Sequence, residues 1–109
     1  MRLGTLMLAL LIPVISAAAP IMGAGASSCG EWVEDRKQDI YHAKLHWIQG
    51  FISAYNQYVY YGKNPNGVFG SADHKAIAVW MDNYCQQNPL SSPHDGAVLL
   101  IRELARRAN

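Results

Sequence analysis

The stretch DIYHAKLHWIQGFISAYNQYVYY, residues 39–61, decides the fold. Ile40, Ala43, Trp47, Gly50, Phe51, Ala54 and Tyr58 recur at three- and four-residue steps, so they share one side of a helix. Tyr41, Leu45, Ile48, Ile52, Tyr55 and Val59 widen that side past half the circumference. Asp39, His42, His46, Gln49 and Ser53 fill the remaining wedge, in line with Asp35 just upstream. A helix with so much apolar surface must be wrapped by other elements or by a partner. Lys44 projects from the apolar arc, and Lys37 would do the same. The helix is therefore expected to begin late or to be covered only in part.

Upstream, Trp32 and Val33 follow Cys29 and begin a short first helix, with Glu31, Glu34 and Asp35 near the positive end of its dipole. The charged run 35–39 either links this helix to the long one or continues into it. Downstream, Gly62 is the expected C-cap, and Lys63-Asn64-Pro65-Asn66-Gly67 is turn chemistry. Val68 and Phe69 should tuck back as an apolar anchor. A further helix starts at Ser71 or Asp73 and carries Ile77, Trp80, Met81, Tyr84 and Cys85 on one face. It stops by Asn88, before Pro89. The last helix has Ser92 as N-cap, Pro93 at its first position and Asp95 placed as in a capping box. Its stripe is Ala97, Val98, Ile101, Leu104, Ala105 and Ala108, spread by Leu99 and Leu100. No repeat, low-complexity tract or strand pattern is present. The expected fold is all-α, a small single-domain bundle of three to four helices with one disulfide.

The chain has 109 residues, enough for one domain. Residues 1–26 read as a secretory signal peptide: Arg2, a short apolar run over 6–15, then small residues. The run is shorter than the roughly 20 residues a membrane-spanning helix needs, so no stable span is expected after cleavage. Two cuts fit, after Ala18 (Ser16-Ala17-Ala18) and after Ala26 (Ala24-Gly25-Ala26). The second is preferred, because Pro20 lies close behind the first. A lipid on Cys29 is disfavoured, since Ala26-Ser27-Ser28 lacks the usual leucine. The folded domain is then 27–109, in the periplasm or secreted.

Such a domain has about 83 residues and is marginal without a staple. Cys29 and Cys85 are an even pair in an exported chain and are expected to form an intramolecular disulfide. Closing that loop should stabilise by about 4 kcal/mol in the chain-entropy model. Loss of Arg2 leaves eight Lys/Arg against eight Asp/Glu. That balance argues against nucleic acid as a partner, which would call for a basic patch. Arg102, Arg106 and Arg107 gather only in the last turns, where they suit the helix dipole.

His42 and His46 have the spacing of two helical metal ligands, with Asp35 and Asp39 on the same face. No HExxH glutamate accompanies them, and the better reading is a solvated wedge. Ser53 lies two turns from His46, and no G-x-S-x-G elbow exists. Glu31, Glu34, Asp35 and Asp39 are the acids available for paired-carboxylate chemistry, and they sit close together in sequence. No catalytic, metal or cofactor residue is assigned, and no enzyme is expected. Trp47, Phe51, Tyr55, Tyr58 and Tyr61 are the candidate partner-binding residues. The same face could instead be core with tyrosines at its rim, or serve a homodimer.

Ser28-Cys29-Gly30-Glu31-Trp32, then residues 50–56 (Gly-Phe-Ile-Ser-Ala-Tyr-Asn), then 77–85 and a terminal helix resemble the HdeA/HdeB family in order and spacing. That resemblance covers most of 27–109. It implies a small all-helical periplasmic acid-stress chaperone with one internal disulfide, acting on unfolded client proteins, and carries over only the cysteines as matched positions. The chain differs in its tryptophans, its scarce lysines and its Gly/Asn-rich segment 62–70. Trp47-Ile48-Gln49-Gly50-Phe51 is similar to a helix of the Tai-type immunity proteins of type VI secretion, which implies the alternative of a module that neutralises a protein partner.

Overall fold

In the computed structural model the described residues are Gly4 and 20–108. The leader expectation for 1–19 therefore lies outside them, apart from Gly4. Four α-helices follow one another: α1 (Cys29–Lys37), α2 (His42–Tyr58), α3 (His74–Gln87) and α4 (Pro93–Ala108). Single 3-10 turns stand at Ala24–Ala26 and Gly67–Phe69. No strand occurs among the described residues. The fold is all-α, with Cys29 bonded to Cys85.

Local chemistry sets most boundaries. Ser28 caps α1, its hydroxyl accepting from Glu31 N at 3.1 Å. Asp73 caps α3 and accepts from Ala76 N at 2.8 Å. Ser92 caps α4, accepting from Asp95 N at 3.2 Å. The Asp95 carboxylate does not complete a capping box; it meets Ser91 Oγ at 3.4 Å and His94 Nδ1 at 3.0 Å.

The long helix of residues 39–61 is shorter at both ends than its periodicity indicates. Asp39 has φ +58°, which ends α1 before α2 begins. Asp39 N donates to Arg36 O at 3.4 Å and Ile40 N to Asp35 O at 3.0 Å, the paired bonds of a Schellman motif. Asp is one of the few residues besides glycine that visits this region readily. At the other end Val59 and Tyr60 both donate to Tyr55 O, and the chain leaves the helix before Gly62 is reached.

The core is one cluster. Leu45, Ile48 and Ile52 are the buried residues of α2. Around them lie Cys29 and Trp32 from α1, Val68 from the second turn, Ile77, Ala78, Met81 and Cys85 from α3, and Ala97, Leu100, Ile101 and Leu104 from α4. The arc through Ala43, Gly50, Ala54 and Tyr58 faces solvent instead. On α4, Leu100 joins the core while Leu99 stays outside. Helix α3 packs tightly against α4 at Gly96, where a Cβ would lie 2.7 Å from Met81 Sδ and from Tyr84 Cδ1. Any side chain there would require Met81 and the Tyr84 ring to shift.

Candidate functional site

The most structured polar assembly is the attachment of α1. The disulfide holds the start of α1 to the end of α3, with Cα atoms 4.8 Å apart. One turn away, Trp32 Nε1 donates to Asp82 Oδ1 at 2.8 Å. Beyond it, Arg36 forks onto the same carboxylate, Nε at 2.9 Å from Oδ1 and Nη2 at 2.8 Å from Oδ2. The guanidinium also lies over the Tyr41 ring, 4.4 Å from its centroid. Asp82 and its neighbours hold Arg36 above its ordinary pKa, chiefly through that hydrogen bond. Lys44, the misfit on the apolar arc, reaches back from α2 to pair with Asp35 on α1. Helix α1 is thus fixed by one covalent bond, by Trp32 in the core, and by two ion pairs, one with its carboxylate on α3 (Asp82) and one with its carboxylate on α1 itself (Asp35).

A second aromatic group sits on α2. Trp47 and Phe51 stack with centroids 5.4 Å apart, and the His94 ring meets both edge-on, at 6.1 and 5.3 Å. Trp47 Nε1 donates to Met22 O at 2.8 Å, so the segment before α1 crosses this face.

The remaining candidate partner residues part company. Tyr55 is half-buried against the core. Tyr58, the last residue of α2, and Tyr61, three residues beyond it, are 83% and 94% exposed, with Val59 exposed as well. The five candidates therefore occupy three environments rather than one face.

On the opposite side, Trp80 stacks on Tyr84 with centroids 5.7 Å apart. Trp80 Nε1 donates to Glu103 Oε2 at 2.8 Å, and Arg107 to Glu103 Oε1 at 2.6 Å. These bonds, that from Trp80 foremost, hold the Glu103 carboxyl below its usual range. A cleft of about 110 Å³ lies beside them, with Ala76, Ile77 and Leu100 in its walls. That is well under the roughly 300 Å³ from which small-molecule sites start.

No protein-family model, curated protein or solved structure matches the chain.

His42 and His46 are exposed on α2. Among the described residues no group of three or more His, Cys, Asp or Glu is placed to hold a metal ion. Ser53 donates its hydroxyl proton to Gln49 O at 2.8 Å, one turn back on its own helix. Glu31, Glu34 and Asp39 are exposed, and Asp35 is engaged by Lys44. No described helix is long and apolar enough to cross a membrane. Asp82 and His94 were absent from the sequence-based candidates. Their signal is positional: each faces an aromatic donor or ring from another helix.

Proposed function

We propose that this is an exported, non-enzymatic helical protein that binds unfolded clients through apolar surface uncovered in acid. The observation that carries this reading is the attachment of α1 through Asp82 and Asp35 next to a disulfide. Protonated, Asp82 no longer compensates Arg36, and Asp35 no longer compensates Lys44. The charged groups facing these carboxylates, Arg36 and Lys37 on α1 and Lys44 on α2, are all cationic and stay so. Trp32, fully buried beside Asp82, loses its charged acceptor. Helix α1 then swings while Cys29–Cys85 limits how far it goes, presenting Trp32, Tyr41 and Leu45 without full unfolding. Glu103 adds to the same response. Its pKa is lowered on folding, so its contribution is complete above the ordinary carboxylate range and is lost as pH falls through the lowered value. The resemblance to the HdeA/HdeB family points the same way and would put the protein in the periplasm.

The test is light scattering of a model client at about pH 2–3 and at pH 7, where acid protonates carboxylates. Wild type should protect in acid and little at neutrality, and Asp82→Asn should protect at higher pH than wild type. A soluble protein that gives no protection in acid would falsify the proposal.

A second reading rests on a separate observation, the exposed Tyr58-Val59-Tyr61 end of α2. Two exposed tyrosines and an exposed valine within four residues suit a folded protein partner bound at neutral pH, as in an immunity module. Partner capture at pH 7 that is lost in Tyr58→Ala and Tyr61→Ala, without acid protection, would favour this reading over the first.

A further inference from the structure

Of the two export cuts the sequence allows, one would remove part of the folded body. The 3-10 turn Ala24–Ala26 lies across α2 and α4. It is closed by Ala26 N donating to Gly23 O at 3.0 Å and by Ser27 Oγ donating to Ala24 O at 2.7 Å. Gly25 is buried with its backbone close against the six-membered ring of the Trp47 indole. A Cβ built there would lie 2.0, 2.2 and 2.4 Å from three ring carbons, so only glycine permits this approach. Met22 supplies the carbonyl that the Trp47 N–H needs, at 2.8 Å. A cut after Ala26 would delete that acceptor and uncover the Trp47–Phe51–His94 group.

We propose that residues 20–26 belong to the mature domain and that export processing cuts upstream of Pro20, after Ala18. Ser16 and Ala18 supply the small residues at the third and first positions before the cut. The mature chain then starts at Ala19. Met22–Ala26 acts as a fixed strap over the α2 aromatics, with Gly25 as the residue that lets it seat. The proposal rests on the export reading above.

The test uses the full-length chain, as wild type and as Gly25→Ala and Gly25→Val. Both variants leave the small residues of each candidate cut in place, since Gly25 stands between Ala24 and Ala26. The exported fraction is analysed by N-terminal sequencing and intact mass, thermal unfolding by circular dichroism, and acrylamide quenching of tryptophan fluorescence. The wild type is expected to start at Ala19. Gly25→Ala should lower the thermal midpoint by a few degrees and Gly25→Val by roughly 5 °C or more, with tryptophan quenching raised in the same order. If Gly25→Val does not fold, the Gly25→Ala shift decides. A wild type starting at Ser27 would overturn the proposal and leave the export reading intact. A start at Ala19 with unchanged midpoint and quenching in both variants would overturn the strap. Unprocessed, reduced chain found only in the cytoplasm would overturn the export reading and the cut with it.

Discussion

Replacing Asp82 by alanine should be among the most damaging single changes outside the aliphatic core. Asp82 accepts from Trp32 at 2.8 Å and from Arg36 at 2.8–3.1 Å. Trp32 is fully buried, so its N–H would be left without a partner, at a cost of about 1–3 kcal/mol. The Arg36 pair is partly exposed, 27% and 22% for the two side chains, and adds about 0.2–1 kcal/mol after solvent screening. Together these give about 1–4 kcal/mol. A mature domain of 91 residues, 19–109, has roughly 5–14 kcal/mol in all. Asp82→Asn keeps one oxygen for Trp32 but puts an NH2, which cannot accept from Arg36, in place of the other, so it should cost less than alanine, about 1 kcal/mol. Urea unfolding followed by circular dichroism at pH 7 measures both. A cost below about 0.5 kcal/mol for Asp82→Ala, the range of ordinary surface changes, would refute the latch. So would equal costs for alanine and asparagine, because Trp32 would then not depend on the acceptor.

Cys85→Ser should lower stability by about 2–5 kcal/mol, and the native chain should weigh two mass units less than its reduced form, with no thiol titrating before denaturation. Tyr58→Ala and Tyr61→Ala should leave urea stability within about 0.5 kcal/mol, since both rings are exposed; a larger loss would show that they pack. Trp80→Phe removes the main cause of the lowered Glu103 pKa, so an NMR titration should move that carboxyl upward. With the gap between folded and unfolded pKa narrowed, the thermal midpoint of Trp80→Phe should fall less steeply with acid than that of wild type; an equal slope would refute the assignment.

Helices α3 and α4 were legible because their ends carry strong local signals. Asp73, Ser92 and Pro93 fix where each begins, and Pro89 fixes where α3 must have stopped. The break between α1 and α2 was not, because the left-handed residue is Asp39 and not a glycine. Periodicity alone then ran on through 39–41. The same helix shows the limit of counting apolar residues around a circle. Two arcs of α2 compete, one with Leu45, Ile48 and Ile52, the other with Ala43, Gly50, Ala54 and Tyr58. The aliphatic arc takes the core, since branched side chains fill interhelical space that Ala and Gly leave empty. Trp47 and Phe51 belong to the second arc, and there the Met22–Ala26 strap and His94 cover them. No pattern within 39–61 encodes that cover.

The α1 latch was closer to being readable than the aromatic face. Once Cys29 is paired with Cys85, the register of α1 on α3 is set at one end. Trp32 lies three residues after Cys29 and Asp82 three before Cys85, each one helical turn from the bond. Two helices running away from a shared cross-link in opposite chain directions bring those turns side by side. Arg36 follows Trp32 by four residues and so shares its face. Two donors on one helix, facing a single acid on an otherwise apolar stripe of the next, amount to a directional signal that binary patterning discards. Asp82 looks like an ordinary surface acid when α3 is read alone. Its role appears only when the disulfide is used as a ruler.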